Sequence, residues 1–186
     1  MLKPKPARLE RCTFSTSRQL EYFTPDELTK QIGHDIDLWP LAITKELIDN
    51  ALDACEAIPV PPSIIVTVDD DRISVADNAG DGLPESTLRK SQNYSVTVSN
   101  KAHYKSPMRG RQGNALKTVW AAPFVYYAKN GGGHGGVEVV TPAYAYQLIA
   151  SLDRIAQEPR LTMSPLERAF VKSGTVVTVQ WCSEVA

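Results

Sequence analysis

The stretch Leu41 to Ala57, LAITKELIDNALDACEA, constrains the fold of this 186-residue chain more than any other. At about 100° per residue, its apolar side chains fall on one stripe, which predicts an amphipathic helix. The helix is expected to run from about Leu38 to Ala57, because Pro59 and Pro61-Pro62 interrupt helical structure. The residues predicted to face the core are Ile43, Leu47, Ala51, Ala54 and Ile58.

A second stripe on this helix is polar. Glu46, Asn50 and Asp53 are spaced four and three residues apart, so they line up beside the core face. An amide oxygen on Asn50 suits a hard cation such as Mg²⁺, and Glu46, one turn earlier, can orient and deprotonate a water molecule. The same spacing is also typical of an ordinary amphipathic helix with a polar boundary, and this stretch alone does not separate the two interpretations.

The rest of the chain alternates between helical and β-rich runs. Helices are predicted to start at Pro25 and to cover 84–90 and 113–121, with strands at 63–68, 72–76, 124–129, 137–141, 143–152 and 175–181. Residues 91–112 are polar and form a long loop, which in a compact domain is usually functional. We predict an N-terminal arm (1–14) and one domain (15–186). Its fold class is α/β, a two-layer sandwich of a mainly antiparallel mixed sheet with helices on one face.

Composition argues against several classes of protein. With 20 basic and 21 acidic residues the formal net charge is −1, so no overall positive field attracts nucleic acid or acidic membranes. The cysteines Cys12, Cys55 and Cys182 lie far apart, which favours free thiols in a reducing compartment over a metal or redox site. Without a long apolar run or a signal-peptide core, we expect a cytoplasmic chain with no membrane segment.

Two glycine-containing turns add candidate binding residues. Asp77 to Pro84, DNAGDGLP, follows a predicted strand, where a carboxylate can accept a hydrogen bond from the exocyclic amine of adenine. Gly110 to Lys117, GRQGNALK, opens a predicted helix, whose free amides suit phosphate. It is not the Walker A pattern GxxxxGK[ST]. Taken singly, each turn is equally well explained by ordinary turn chemistry.

The order of these features resembles the GHKL (Bergerat-fold) ATPase family, which includes gyrase B subunits, MutL, heat-shock chaperones and histidine kinases. Glu46 to Ala54 resembles its N box, Asp77 to Gly82 its G1 box, Gly110 to Leu116 its G2 box, and Gly174-Thr175 its last motif. Within the family, ELIDNALDACE and GRQG are most similar to the B subunit of topoisomerase VI, a type IIB topoisomerase. The resemblance spans about residues 15 to 181.

The resemblance implies a role for each matching residue. Glu46 would be the general base, Asn50 the Mg²⁺ ligand, Asp53 a support of the site, and Asp77 the acceptor of the adenine amine. Gly80 and Gly82 would line the base pocket, Thr175 would complete the adenine contact, and residues 91–112 would form a lid. The phosphates would be wrapped by Gly110, Arg111, Gln112, Gly113, Asn114, Ala115 and Leu116, with Lys117 as a further candidate contact.

The chain departs from the family pattern in three respects, of which Ala115, in place of the final glycine of the topoisomerase G2 pattern, is tolerable because a MutL-like turn also has alanine there. Asn78 and Ala79 separate Asp77 from Gly80, one residue more than in the Asp-x-Gly-x-Gly pattern. Related ATPases also use a lysine from a second domain at the terminal phosphate, and no lysine of this chain can be assigned that role. We therefore expect a partner domain or subunit to supply it, and slow hydrolysis or binding without turnover from this chain alone.

The predicted function is an ATP-binding, Mg²⁺-dependent ATPase module that drives a topoisomerase VI B-like or MutL-like machine. Two alternatives remain, a protein kinase of the histidine-kinase or anti-sigma type and a nucleotide-sensing module without turnover. The family further implies a homodimer formed on nucleotide binding, for which the segment Phe14 to Phe23 is a candidate exchanged arm. Lys101, Lys105, Arg109 and Arg111 concentrate positive charge that would suit phosphate, DNA or solvent alike.

Overall fold

The computed structural model describes residues 22–94, 115–130, 135–153, 158–168 and 170–181. The predicted arm, most of the segment Phe14 to Phe23, and residues 95–112 of the predicted lid lie outside these ranges. In chain order the elements are α1 (Pro25–Ile32), a 3-10 turn (Ile36–Leu38), α2 (Trp39–Glu56), β1 (Ile65–Val68), β2 (Arg72–Ala76), α3 (Glu85–Ser91), α4 (Ala115–Asn130), β3 (Gly136–Val140), β4 (Ala145–Asp153), β5 (Glu158–Pro165) and β6 (Val176–Gln180). Among the described helices, none has the length and apolar character needed to cross a membrane.

The strands of the described ranges form one six-stranded sheet in the order β1-β2-β6-β3-β4-β5. Every pairing between its described strands is antiparallel. Val75, Val177 and Val139 lie side by side on the face that packs against the helices. On the other face Ser74 and Thr178 are paired across β2 and β6, with their hydroxyl oxygens 3.0 Å apart. The predicted two-layer α/β sandwich with helices on one face is therefore confirmed.

Helix α2 begins and ends within one residue of the predicted bounds, but its buried stripe differs at one end. The buried residues follow a spacing of four, Trp39, Ile43, Leu47, Ala51 and Cys55. The prediction of Ala54 in the core is wrong, because Ala54 is exposed and Cys55 is buried in its place; Ile58 is partly buried. A row of residues four apart slants around a helix, so a helix that packs along such a row buries position 55 rather than 54.

Helix α4 contradicts the predicted strand at 124–129. The helix continues from Ala115 to Asn130 through Pro123, although the aromatic and β-branched sequence Phe-Val-Tyr-Tyr is typical of a strand. It packs against α1, α2 and strands β3, β4 and β6, and buries Val119, Trp120, Ala121, Ala122 and Val125. Tertiary packing outweighs local propensity here, because a helix surrounded by protein carries apolar residues on most of its surface.

Strand β5 was not predicted from the sequence. It pairs with β4 over its whole length, from Asp153 opposite Glu158 to Tyr146 opposite Pro165. Two prolines and two charged residues in eight positions obscure the strand pattern. They are tolerated because β5 is an edge strand, where one row of backbone groups needs no partner in the sheet.

Candidate functional site

Asp77 lies where the end of β2 meets the start of β6. Its Oδ1 accepts hydrogen bonds from the backbone amides of Ala79, at 2.8 Å, and Thr175, at 3.2 Å. The Asp77 amide in turn donates to the Thr175 carbonyl at 2.9 Å. Burial raises the pKa of the Asp77 carboxyl, and the two donated amide bonds oppose that rise. One carboxylate oxygen is thus fixed by the backbone, while Oδ2 receives no hydrogen bond from the described residues.

Two glycines allow the strand ends to approach this closely. Gly174, at φ +74°, would place an added Cβ within 2.6 Å of Asp77 Oδ1 and even closer to the Asp77 backbone. Gly82, at φ +75°, would place one 2.9 Å from the carbonyl carbon of Gly174. No other residue type fits either position without moving backbone, because both the dihedral angle and the space exclude a side chain. The sequence prediction of a glycine-lined turn at Gly82 agrees with this close approach.

Gly80 and Thr175 complete the connection between the two segments. The Gly174 amide donates to the Gly80 carbonyl at 2.7 Å. The Thr175 hydroxyl oxygen accepts a hydrogen bond from the Leu83 amide at 2.8 Å, and Thr175 itself is buried. The structure therefore brings together Asp77, Gly80, Gly82 and Thr175, which the sequence had singled out from segments almost 100 residues apart.

The additional residue in the turn is accommodated by side-chain hydrogen bonds that the sequence did not reveal. Asn78 Oδ1 accepts from the Ser63 amide at 2.9 Å and from the Cys55 thiol at 3.4 Å. Asn78 Nδ2 donates to the Pro61 carbonyl at 3.1 Å. These bonds attach the turn to the end of α2 and to the proline-rich segment that follows it. The departure from the family spacing was the one sequence signal that could have marked Asn78.

The polar stripe of α2 lies at the boundary of the core, as predicted. Glu46, Asn50 and Asp53 are all partly buried, and the Glu46 side chain retains 39% exposure. Lys45 Nζ lies 3.6 Å from Glu46 Oε1 but 2.7 Å from Asp49 Oδ2, so its main partner is Asp49. Glu46 is accessible enough to meet a water molecule.

Asn50 carries the clearest sign of a missing partner in this stripe. Its Nδ2 is buried and makes no hydrogen bond to any of the described residues. A buried polar atom without a partner is costly, so the contacts of the described residues do not by themselves explain an amide at this position.

A single amide ligand on α2 is compatible with Mg²⁺ that is bound mainly through phosphates. Within the ranges that the structure describes, no group of three or more His, Cys, Asp or Glu side chains is arranged to hold a metal. Mg²⁺ is commonly held by one or two protein ligands together with phosphate oxygens and water, for which Asn50 alone would be sufficient. Asn50 as a Mg²⁺ ligand therefore stays a prediction, in which phosphate oxygens and water would supply the other ligands.

Only the end of the predicted phosphate turn lies within the residues that the structure describes. Gly110, Arg111, Gln112, Gly113 and Asn114 lie outside the described residues, whereas Ala115, Leu116 and Lys117 form the first turn of α4. Lys117 is 2% exposed, and burial lowers the pKa of its ammonium group. Its Nζ lies 5.8 Å from the ring centre of Tyr22 and 5.9 Å from that of Tyr94, close enough for cation–π attraction. Neither tyrosine was anticipated from the sequence.

Comparison with known proteins gives one relative by sequence and several partial structural likenesses. No family model matches the chain. The B subunit of type 2 DNA topoisomerase 6 from Archaeoglobus fulgidus is 27% identical over 145 residues, which cover 75% of this chain and 23% of that protein. The chain therefore spans less than a quarter of the length of this relative.

The similar solved structures also extend well beyond this chain. The ATPase region of Saccharomyces cerevisiae topoisomerase II is 16% identical with a TM-score of 0.42, over 74% of this chain and 36% of that one. The ATPase and transducer domains of Balamuthia mandrillaris topoisomerase II are 21% identical, with the same TM-score and coverage. The N-terminal domain of a DNA repair protein is 22% identical with a TM-score of 0.40, over 75% and 34% of the two chains.

The sequence relative agrees with the motifs identified in the chain. The Asp77, Gly82 and Gly174-Thr175 motifs meet in one place on an antiparallel α/β sandwich. The chain is thus similar to the B subunit of topoisomerase 6, and its predicted resemblance to GHKL (Bergerat-fold) ATPase domains is confirmed.

Proposed function

We propose that this domain binds ATP together with Mg²⁺ and hydrolyses it slowly, as the nucleotide-driven module of a topoisomerase VI B-like or MutL-like machine. The observation that carries the proposal is the carboxylate of Asp77. Its Oδ1 is fixed by the amides of Ala79 and Thr175, and its Oδ2 receives no hydrogen bond from the described residues. A half-buried acceptor whose orientation is already fixed is suited to one donor of a flat ligand.

A base whose C6 substituent meets Asp77 Oδ2 would be selected as adenine over guanine. A carboxylate oxygen accepts hydrogen bonds, and the exocyclic amine of adenine donates them. Guanine carries a carbonyl oxygen at that position, which would place two acceptors face to face. A site built around a hydrogen bond rejects a ligand that lacks the partner, because the buried group is then left unpaired.

The polar stripe of α2 would supply the chemistry at the phosphates. Asn50 would hold Mg²⁺, which neutralises charge on the phosphates when bound. Glu46 would orient and deprotonate the attacking water, the positioning task that dominates phosphoryl transfer. Asp53 would support this site from the same stripe, and the amides of residues 110–116 would contact the phosphates.

The proposal extends to partners that the chain itself does not contain. A lysine at the terminal phosphate would come from another domain or subunit, so we expect turnover to be slow without it. A homodimer formed on ATP binding and contact with DNA belong to the same proposal, and they rest on the similarity to the topoisomerase relative.

Calorimetric titration with a non-hydrolysable ATP analogue and Mg²⁺ tests the adenine site directly. In Asp77→Asn the amide oxygen can still accept from Ala79 and Thr175, but the NH₂ group would face the adenine amine, donor against donor. We expect ATP affinity to fall by roughly a hundredfold, in line with one mismatched buried hydrogen bond. Asp81→Asn, at an exposed position of the same turn, should bind as the wild type does.

The titration can contradict the proposal in two ways. If folded wild-type protein binds no adenine nucleotide, or binds the GTP analogue equally well, the adenine site is refuted. If Asp77→Asn binds as tightly as Asp81→Asn, the carboxylate is not the contact that selects the base.

A second experiment separates binding from hydrolysis. Glu46→Gln should keep ATP affinity and lose phosphate release, because it keeps the shape of the side chain but cannot accept a proton from water. Glu56→Gln, exposed at the end of the same helix, is the matched control. Equal phosphate release by the wild type and Glu46→Gln would remove Glu46 from the mechanism.

A further inference from the structure

Tyr144 makes a hydrogen bond to the turn Asp77 to Pro84, which belongs to the proposed adenine site. Its hydroxyl donates to the Leu83 carbonyl at 2.8 Å, and the residue is 6% exposed. It lies immediately before β4, and its ring centre is 5.1 Å from that of Tyr146. Nothing in the sequence motifs pointed to this residue.

The connection between β3 and β4 fixes the position of Tyr144. The Thr141 amide donates to the Tyr144 carbonyl at 2.8 Å, and the Thr141 hydroxyl oxygen accepts from the Tyr144 amide at 3.1 Å. It also accepts from the Ala143 amide at 3.2 Å, and Thr141 is fully buried. The Tyr144 hydroxyl is therefore presented by a preorganised turn, and burial raises its pKa well above the ordinary range, so it remains a neutral donor.

From Tyr144 a continuous chain of hydrogen bonds leads to Asp77. Tyr144 holds the carbonyl of Leu83, and the amide of Leu83 donates to the Thr175 hydroxyl oxygen at 2.8 Å. The Thr175 amide then donates to Asp77 Oδ1 at 3.2 Å. Leu83 is thus held on both sides of its Cα, once by Tyr144 and once by Thr175.

We infer that Tyr144 is a positioning residue for adenine recognition, which acts through Leu83 and Thr175 on the orientation of the Asp77 carboxylate. The inference rests on the proposed function, because it assigns Tyr144 to the same site. Without the Tyr144 hydroxyl, Leu83 is released on one side, the Thr175 hydroxyl loses a fixed donor, and the Asp77 carboxylate is held less tightly. Base selectivity should therefore depend on a hydroxyl that does not contact the nucleotide.

The neighbouring Tyr146 provides a matched control. Tyr146 also uses its hydroxyl in a hydrogen bond, to Glu85 Oε1 at 2.9 Å, and it receives one from Arg89 at 3.4 Å. That cluster docks α3 on β4 and has no hydrogen bond to Leu83 or Thr175 among those that the structure describes. Tyr144→Phe and Tyr146→Phe each remove one hydroxyl from neighbouring rings, but only the first interrupts the chain to Asp77.

The test measures affinity for ATP and GTP analogues with Mg²⁺, together with the thermal midpoint, for wild type and both variants. We expect Tyr144→Phe to weaken ATP binding by roughly five- to tenfold, the loss of about one buried hydrogen bond, with GTP binding unchanged. Tyr146→Phe should keep the wild-type preference for ATP. Any fall in thermal midpoint should be similar in the two variants, which separates positioning from general destabilisation.

Amide hydrogen exchange gives a second measurement that needs no nucleotide. The Leu83 amide should exchange faster in Tyr144→Phe than in wild type, and at the wild-type rate in Tyr146→Phe. If the wild type prefers ATP and Tyr144→Phe keeps that preference, or if both variants lose it equally, the positioning role is refuted while the proposed function stands. If the wild type binds neither nucleotide, the proposed function fails, and the adenine role of Tyr144 fails with it, even where exchange at Leu83 responds.

Discussion

Replacement of Gly174 by alanine should destabilise the chain more than replacement of a glycine that lies in open space. At φ +74° an L side chain costs roughly 1–2 kcal/mol. The new Cβ would also lie 2.6 Å from Asp77 Oδ1 and closer still to the Asp77 backbone, so the two strand ends must separate. Overpacking of this kind costs about 1–3 kcal/mol, which brings the expected loss of unfolding free energy to about 2–5 kcal/mol.

Gly33→Ala is the matched control for this prediction. Gly33 has φ +80° at the C-terminal end of α1, and an added Cβ would meet nothing within 4 Å. Its cost should be the dihedral term alone, roughly 1–2 kcal/mol. Urea unfolding of both variants measures the difference, and ATP titration should show weakened binding only for Gly174→Ala. Equal unfolding free energies would refute the argument that Gly174 is required by its contact with Asp77.

Three further predictions concern the same region. Asn78→Ala should lower the unfolding free energy by about 0.5–1.5 kcal/mol in urea, because its hydrogen bonds to the Ser63 amide and the Pro61 carbonyl are exposed and water can replace the lost partner. Since the native pKa of Asp77 is raised above 3.8, native protein binds that proton more tightly than unfolded protein. Stability should therefore fall as pH rises from 3.8 through the native pKa, and Asp77→Asn should remove this fall in urea titrations at stepped pH. Lys117→Met should weaken ATP binding by roughly tenfold but leave adenosine binding unchanged in parallel titrations, if the ammonium acts on the phosphates; an equal loss for adenosine would contradict this.

The sequence by itself determined the elements that depend on local pattern. The hydrophobic periodicity and the positions of proline and glycine predicted α2, the hairpin of β1 and β2, and the strands β3, β4 and β6. The predicted bounds agree with the structure within a few residues. Asp77, Gly82 and Thr175 could be singled out because each belongs to a short motif with a chemical reason for its residue types. The polar stripe of Glu46, Asn50 and Asp53 follows from helical spacing alone.

The tertiary structure decided everything that depends on what a segment packs against. Residues 124–129 have a strand-like composition, but they continue α4 because the sheet and two helices surround them. Strand β5 forms despite its prolines because it lies at the edge of the sheet. Cys55 is buried instead of Ala54 because α2 packs along a row of residues four apart. Tyr144 and Asn78 gain their roles only through hydrogen bonds between segments distant in sequence. Such contacts cannot be predicted from a sequence pattern, because each depends on how two segments distant in sequence are placed in the folded structure.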